Sequence, residues 1–377
     1  MKQISIFSGM FVAFCMFTTS CNGQWQNNTS SEEAVVQKDT TKHLTLVFAG
    51  DLMQHLPQIT TAKVGNKYDY TECFEYIKPQ IEYADIAVGN FETTLAGPPY
   101  TGYPCFGAPD DFLHDCKATG FDVFLTANNH SCDKGKRGIE RTIQMMDSMK
   151  VKHLGSYVNL ASRNKTYPFV LEKNGFRLVF LNYTYGTNGI PVKVPNIVNL
   201  IDTVQIAKDI AAAKSKKPDC IIAFMHWGDE YQLVQNKKQE ELANWLFEKG
   251  VTHIIGGHPH VVQPMEIRTD ADGNKHVLVY SLGNFVSNMT KPSTIGGMLV
   301  HMELEKDSIT RVANCNYSLY FVTRPAISGH KTHRIYDVCT PDSVLNPAEI
   351  NLRESFLNIA RPIFKEHNKN VSEALKR

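Results

Sequence analysis

The chain has 377 residues, 42% hydrophobic and 20% charged, which excludes a disordered or fibrous protein and leaves enough length for one large core or two modest ones. Lysine plus arginine number 39 against 38 acidic residues, so no global field draws in nucleic acid or an anionic membrane surface. Specificity must therefore reside in local groups.

The chain opens Met1-Lys2, continues with an apolar stretch from Ile4 to Phe17, and then reads Thr18-Thr19-Ser20-Cys21. A charged start, an apolar middle too short to span a bilayer and a small-residue end are the marks of a secretory signal. A cysteine directly after small residues is similar to the lipoprotein cleavage box. Residues 1–21 are thus expected to be a signal peptide, with Cys21 the acylated first residue of the mature chain. Residues 22–42, rich in Asn, Ser, Thr, Gln and Glu, read as a flexible spacer holding the rest off the membrane. The expected location is the bacterial cell envelope, periplasmic or outer surface, reached through a lipid anchor. Setting Cys15 and Cys21 aside leaves seven of the nine cysteines, an odd number for an oxidising compartment, and no CxxC pair suggests a zinc ribbon or redox site.

After the spacer, short β-branched or aromatic runs read as buried strands: Leu44 to Ala49, Ile86 to Gly89, Val123 to Ala127, Cys220 to Met225, His253 to Ile255 and Val277 to Leu282. Helical periodicity appears at Phe112 to Ala118, Gly138 to Met149, Val204 to Ala213 and Lys238 to Lys249. Asn174-Gly175 predicts a hairpin within Phe169 to Leu181, Met298 to Thr340 reads as β-rich, and Pro347 onward as a closing helix. The alternation predicts an α/β fold, with one domain over residues 43–300 and a β-rich extension with a C-terminal helix over 301–377 packed on it.

Open α/β sheets carry their sites just beyond the carboxyl ends of strands. Here those ends read Gly50-Asp51, Asn90-Phe91-Glu92, Asn128-Asn129-His130, His226-Trp227-Gly228-Asp229-Glu230, Gly257-His258-Pro259-His260 and Gly283-Asn284. Singly, Asp51 suits a turn, Asn129 a helix cap and His226 a hydrogen-bonded core position. Six such groups at one structural position point instead to a metal or proton-transfer site. The two histidines of Gly257-His258-Pro259-His260 can aim both imidazoles at one point, glycine letting the backbone pass close by.

In this order, and with Asp133, Gly135, Tyr231, the run from Val261 to Pro264 and Ser281-Leu282-Gly283-Asn284-Phe285, these motifs resemble those of the CapA family of poly-gamma-glutamate capsule biosynthesis proteins, related to the calcineurin-like metallophosphoesterases. The resemblance runs from about Leu44 to Phe285. It implies a sandwich of two mixed sheets with helices outside and a metal centre at the strand ends. Carried onto this sequence, it implies Asp51, Glu92, Asn129, His226, His258 and His260 as ligands of one or two divalent ions. An oxygen and imidazole set without thiolate suits Mn, Fe or Zn. His130 would stand beside the metal as proton donor or oxyanion stabiliser, with Asp133 orienting it or fixing its loop. Asn128, Trp227, Glu230 and Asn284 are expected to contact substrate. Met53 stands where general metallophosphoesterases carry the histidine of Asp-x-His, and Glu92 where they carry a bridging aspartate; capsule proteins of this type share both changes.

The leading functional expectation is a metal-dependent protein of envelope-polymer metabolism, acting on an anionic polymer or a phosphorylated small molecule by hydrolytic or phosphoester chemistry. A second is a non-catalytic accessory or tether in a membrane capsule-assembly complex. A third is a cysteine hydrolase built on Cys132, two residues after His130.

Overall fold

The computed structural model describes residues 41–374, so the expected signal, Cys21 and nearly all of the spacer lie outside the described residues. Among the described residues no helix is long and apolar enough to cross a membrane.

The first four long strands, β1 (Lys42–Leu52), β2 (Ile86–Phe91), β3 (Val123–Leu125) and β4 (Lys152–Leu154), run parallel side by side. The chain then builds a second sheet from β5 (Phe169–Lys173), β6 (Phe176–Thr184), β7 (Cys220–His226), β8 (His253–Gly257), β9 (Met265–Thr269) and β10 (Lys275–Val279), in the order β9-β10-β8-β7-β6-β5. It returns to the first sheet with β11 (Asn284–Val286), β12 (Gly296–Lys306), β13 (Thr310–Thr323) and β14 (Arg334–Asp337). The first sheet is ordered β14-β13-β12-β1-β2-β3-β4, with β11 parallel to the end of β1. Both sheets are mixed: β12 joins β1 antiparallel, and β5 joins β6 antiparallel through the Asn174-Gly175 turn, both residues at positive φ. The β-rich C-terminal stretch therefore continues the first sheet.

The core lies between the sheets. Leu44, Leu46 and Phe48 of β1 face Phe180, Ile222 and Phe224 of the second sheet, with Phe48 and Phe224 ring centroids 5.8 Å apart. The alternate residues Val47 and Ala49 are also buried, against Phe91, Phe112, Phe124 and Phe285 on the helix-covered outer face. Burial on both faces explains why β1 reads as a continuous apolar run. The helices place one apolar stripe inward: Ile139, Ile143 and Met146 in Gly135–Ser148, and Ile206, Ile210 and Ala213 in Thr203–Ser215. Asp202 caps the latter by accepting from Val204 N at 2.9 Å. The closing helix, Pro347–His367, starts on an Asn346 and Glu349 capping box and buries Phe356, Leu357 and Phe364.

Candidate metal centre

Strand ends from both sheets converge on one point. Asp51 lies in register with Asn90 on one side and Asn284 on the other. A register shift between Ala49 and Asp51 kinks β1, and Gly50 N-terminal to the carboxylate lies so close to β11 that an added Cβ would sit 1.8 Å from Gly283 O. From the second sheet, His226 closes β7 in register with Gly257 at the end of β8. His258 and His260 then take positive φ, 101° and 60°, a strained backbone that turns both imidazoles back toward the strand ends.

Glu92 is fully buried, and its Oε1 has no hydrogen-bond partner. That oxygen stands 4.0 Å from His130 Nε2, 3.9 Å from His226 Nε2 and 3.9 Å from His260 Nε2. These spacings are too long for hydrogen bonds and suit donors that share a cation, with metal–ligand distances of roughly 2.0–2.2 Å each. Asp51 Oδ2 is likewise unpartnered, 3.4 Å from His260 Nδ1. Asp51, Glu92 and His226 each offer a ligand atom within 4.8 Å of the others, and so do Glu230, His258 and His260.

The surrounding amides hold the donors in place. Asn90 Nδ2 donates to Asp51 Oδ1 at 2.7 Å and to Glu92 Oε2 at 3.1 Å. Asn284 Oδ1 lies 3.0 Å from His260 Nδ1, which leaves Nε2 facing Glu92. Asn129 Oδ1 lies 2.8 Å from His226 Nε2, while its Nδ2 donates to Asn188 Oδ1 at 3.2 Å, a contact that fixes which way the amide points. His130 Nδ1 lies 2.7 Å from Asp133 Oδ2, which also accepts from Phe106 N at 2.6 Å. The Phe106 ring packs edge-on against His130, centroids 4.5 Å apart.

Burial pushes the Asp51 carboxyl up, but His260, His226 and the Asn90 amide outweigh it and hold the group at about 2. Burial, reinforced by the neighbouring Asp51 charge, drives Glu92 well above the usual carboxylate range. Burial and the His258 imidazole drive His226 well below the usual histidine range, and His258 itself falls to about 3 through burial and His260. Neutral imidazoles offer lone pairs rather than charge, and one carboxylate is charged beside another that resists ionising. A divalent cation answers each of these features. It would satisfy Asp51 Oδ2, Glu92 Oε1 and the unpartnered His258 Nδ1, and it would let Glu92 ionise.

The residues expected from the sequence thus divide. Asp51, Glu92, Asn129, His226, His258, His260, His130 and Asp133 come together, with Glu230 exposed at the edge beside His258 and His260. Trp227 turns the other way: its indole is 2% exposed and donates to Tyr280 O at 2.9 Å, because it follows His226 along an extended chain and faces the core. Asn128 and Asn284 are fully engaged inside the protein. Asn128 Nδ2 donates to Asn90 Oδ1 and Phe91 O, and Asn284 Nδ2 donates to Thr294 O. His55, two residues after Met53, packs its ring against Phe106 and interacts with Gln58 at a helix start, and burial lowers it to about 4. The Cys132 thiol is pushed up to about 11 by burial, which leaves little thiolate for a nucleophile. Residues absent from the sequence-based site are Asn90, Asn188 and Phe106, while Tyr185, an aromatic the sequence offers for a cleft, has its ring centroid 4.4 Å from that of His258. Of these only Asn90, within the second motif, carried a signal.

Comparison with known proteins places the chain. The family described as bacterial capsule synthesis protein PGA_cap matches residues 45–289. The chain is similar to the capsule biosynthesis protein CapA of Bacillus anthracis, 27% identical over 336 residues that cover 85% of this chain and 78% of that protein. It is also similar to the PGA biosynthesis protein CapA of Bacillus subtilis, 27% identical over 280 residues that cover 71% and 70%. Among solved structures, the calcineurin-like phosphoesterase YfkN of Bacillus subtilis aligns over 86% of this chain and 99% of that chain, with a TM-score of 0.44 and 16% identity. Because the family match runs from β1 through β11 and spans well over half of its length, the chain belongs to the bacterial capsule synthesis protein family PGA_cap.

Proposed function

We propose that this protein is a metal-dependent hydrolase of envelope-polymer metabolism, cleaving a phosphoester, acyl-phosphate or gamma-glutamyl link at the strand-end centre. The observation that carries the reading is the unpartnered Glu92 Oε1 facing three imidazole nitrogens at 3.9–4.0 Å beside the unpartnered Asp51 Oδ2. Asp51, Glu92, Asn129, His226, His258 and His260 would hold one or two divalent ions of Mn, Fe or Zn. Bound there, such an ion supplies Lewis acidity toward a phosphoryl or carbonyl oxygen.

The chain's own residues set up the rest. Asp133 Oδ2 accepts a hydrogen bond from His130 Nδ1–H, which orients the ring so that Nε2 points toward Glu92 Oε1 and can exchange a proton with a substrate oxygen. Phe106 covers one edge of that ring and keeps water from it. Tyr185, 47% exposed beside His258, and Tyr231, 39% exposed beside His260, supply ring faces at the mouth. The proposed setting is a lipid anchor through Cys21 on the cell envelope, with an anionic polymer or a phosphorylated small molecule as substrate.

The test is to strip the purified full-length chain with chelator and offer Mn, Fe and Zn. Stoichiometric binding, with metal-dependent release of phosphate from phosphoesters or fragments from polyglutamate, is the expected result. Failure to bind any of the three refutes the metal centre, and binding without turnover on any substrate favours the accessory role.

A further inference from the structure

The outer face of the first sheet changes character along β1. Near Asp51 it is covered by helices packed on Val47, Ala49, Leu299 and Tyr320, whereas toward Lys42 it turns polar and lines a cavity of about 530 Å³. The floor spans three hydrogen-bonded strands. Thr45, Glu303 and Asn314 form one cross-strand row, and His301 and Asn316 the next. Glu303, Asn314 and Asn316 have no side-chain partner among the described residues. His301 Nε2 lies 3.0 Å from Ser318 Oγ, and Ser318 in turn donates to Gln80 Oε1 at 2.9 Å, so that edge of the floor is a fixed hydrogen-bonded string. The walls mix apolar and aromatic residues with the polar Gln80, Asp337 and Thr340. Tyr76, 37% exposed, and Tyr83, 68% exposed, stand with Pro79 on one side, and Pro341 and Val344 on the other.

The chemistry of this cavity narrows its ligand. Its volume falls within the few hundred to about 1,000 Å³ typical of small-molecule sites. Among the described residues its lining includes Glu303 and Asp337 and no lysine or arginine, a charge balance that disfavours an anionic chain. An added peptide strand has little free backbone to pair with, because β1 and β12 are interior strands and Tyr317 N and O on β13 already bond to Ser372 and Ala374. What remains is recognition by side chains alone: unpartnered amides and a carboxylate below, and tyrosine faces beside them. Hydroxyl groups suit the first and the C–H faces of a sugar ring the second.

We propose that this cavity binds a short neutral saccharide, as a second site separate from the metal centre. Thr45 and Asp51 are six residues apart on one strand, so the two sites lie about 20 Å apart along it. The proposal holds whether or not the metal site is catalytic.

The test is calorimetric titration of the full-length chain with chitotriose and with maltotriose, using trilysine and a gamma-linked glutamate tripeptide as alternatives. At least one saccharide should bind with a dissociation constant of millimolar or tighter. Tyr83→Ala and Asn316→Ala, both outside the packed core, should each weaken it by about tenfold or more at unchanged melting temperature, and His258→Ala should leave it unchanged. The proposal is overturned if neither saccharide binds at about 10 mM. It is equally overturned if either peptide binds in their place, if both cavity variants bind as wild type does, or if His258→Ala abolishes binding.

Discussion

Replacing Glu92 by glutamine should make the metal-stripped protein more stable while removing its response to metal. The carboxylate is fully buried, one oxygen accepts from Asn90, and the other has no partner. Burial and Asp51 raise its pKa above the ordinary 4.5. A group raised in this way contributes its full stability below pH 4.5 and loses it as pH rises through the folded-state value, so at pH 7 the metal-free fold bears the cost. An amide of the same shape keeps the Asn90 contact and offers an N–H to Asp51. Relief of one unsatisfied buried group is worth about 1–3 kcal/mol, or a few degrees in melting temperature for a domain of this size. Metal at a hundredfold excess over its dissociation constant should in turn stabilise wild type by about 2.7 kcal/mol and the variant by much less. Differential scanning calorimetry of chelated and metal-loaded protein at pH 5 and pH 7 reads both effects. A chelated Glu92→Gln protein less stable than chelated wild type at pH 7, or one that keeps the whole metal response, refutes the reasoning.

Three further outcomes follow from the same geometry. His130→Ala should leave metal content and melting temperature nearly unchanged while lowering turnover by about 10² to 10⁴, and Asp133→Asn should cause a smaller loss; a metallated His130→Ala protein of normal activity removes the acid–base role. His253 is buried at the start of β8, accepts from Val277 N at 3.1 Å, and is lowered to about 3 by burial and by His276. Its contribution is present above pH 6.5 and lost as pH falls toward 3, so His253→Gln should flatten the acid side of the stability curve relative to wild type by up to about 1.4 kcal/mol per pH unit, and equal slopes count against it. Radioactive fatty acid should label the wild-type chain and not Cys21→Ser, and label persisting in the variant disproves the anchor.

What the sequence revealed, and what it hid, follows from where each signal lives. Strands such as Ile86–Phe91 and Cys220–His226 were legible because burial on both faces writes a continuous apolar run, and the polar residues closing them were legible because a strand end is a fixed place. Periodicity also placed the four helices Asp110–Ala118, Gly135–Ser148, Thr203–Ser215 and Lys237–Glu248 to within a few residues, whereas short helices such as Leu56–Ala62 and Leu160–Thr166 carry too few turns to show one. Trp227 faces the core because side-chain direction alternates along an extended chain, so an aromatic directly after His226 points away from it. Asn128 and Asn284 were expected at the substrate, yet their amides are held by neighbours inside the protein, a placement that only the hydrogen-bond partners reveal. Asn188 and Phe106 reach the centre from loops remote in sequence, and no local pattern announces such a contact.

The Asn188 contact ties a surface loop to the interior. The segment after β6 carries Tyr185, beside His258, and Asn188, whose side-chain Oδ1 accepts from Asn129 Nδ2, while Asn129 Oδ1 in turn meets His226. If the centre holds an ion as proposed, the seating of that segment and occupancy of the centre share one free energy. Whatever seats the loop against the strand ends raises affinity for the ion, and by reciprocity the ion draws the loop inward by the same factor. Substrate entering past Tyr185 would then act on ion affinity as well as meet a steric barrier.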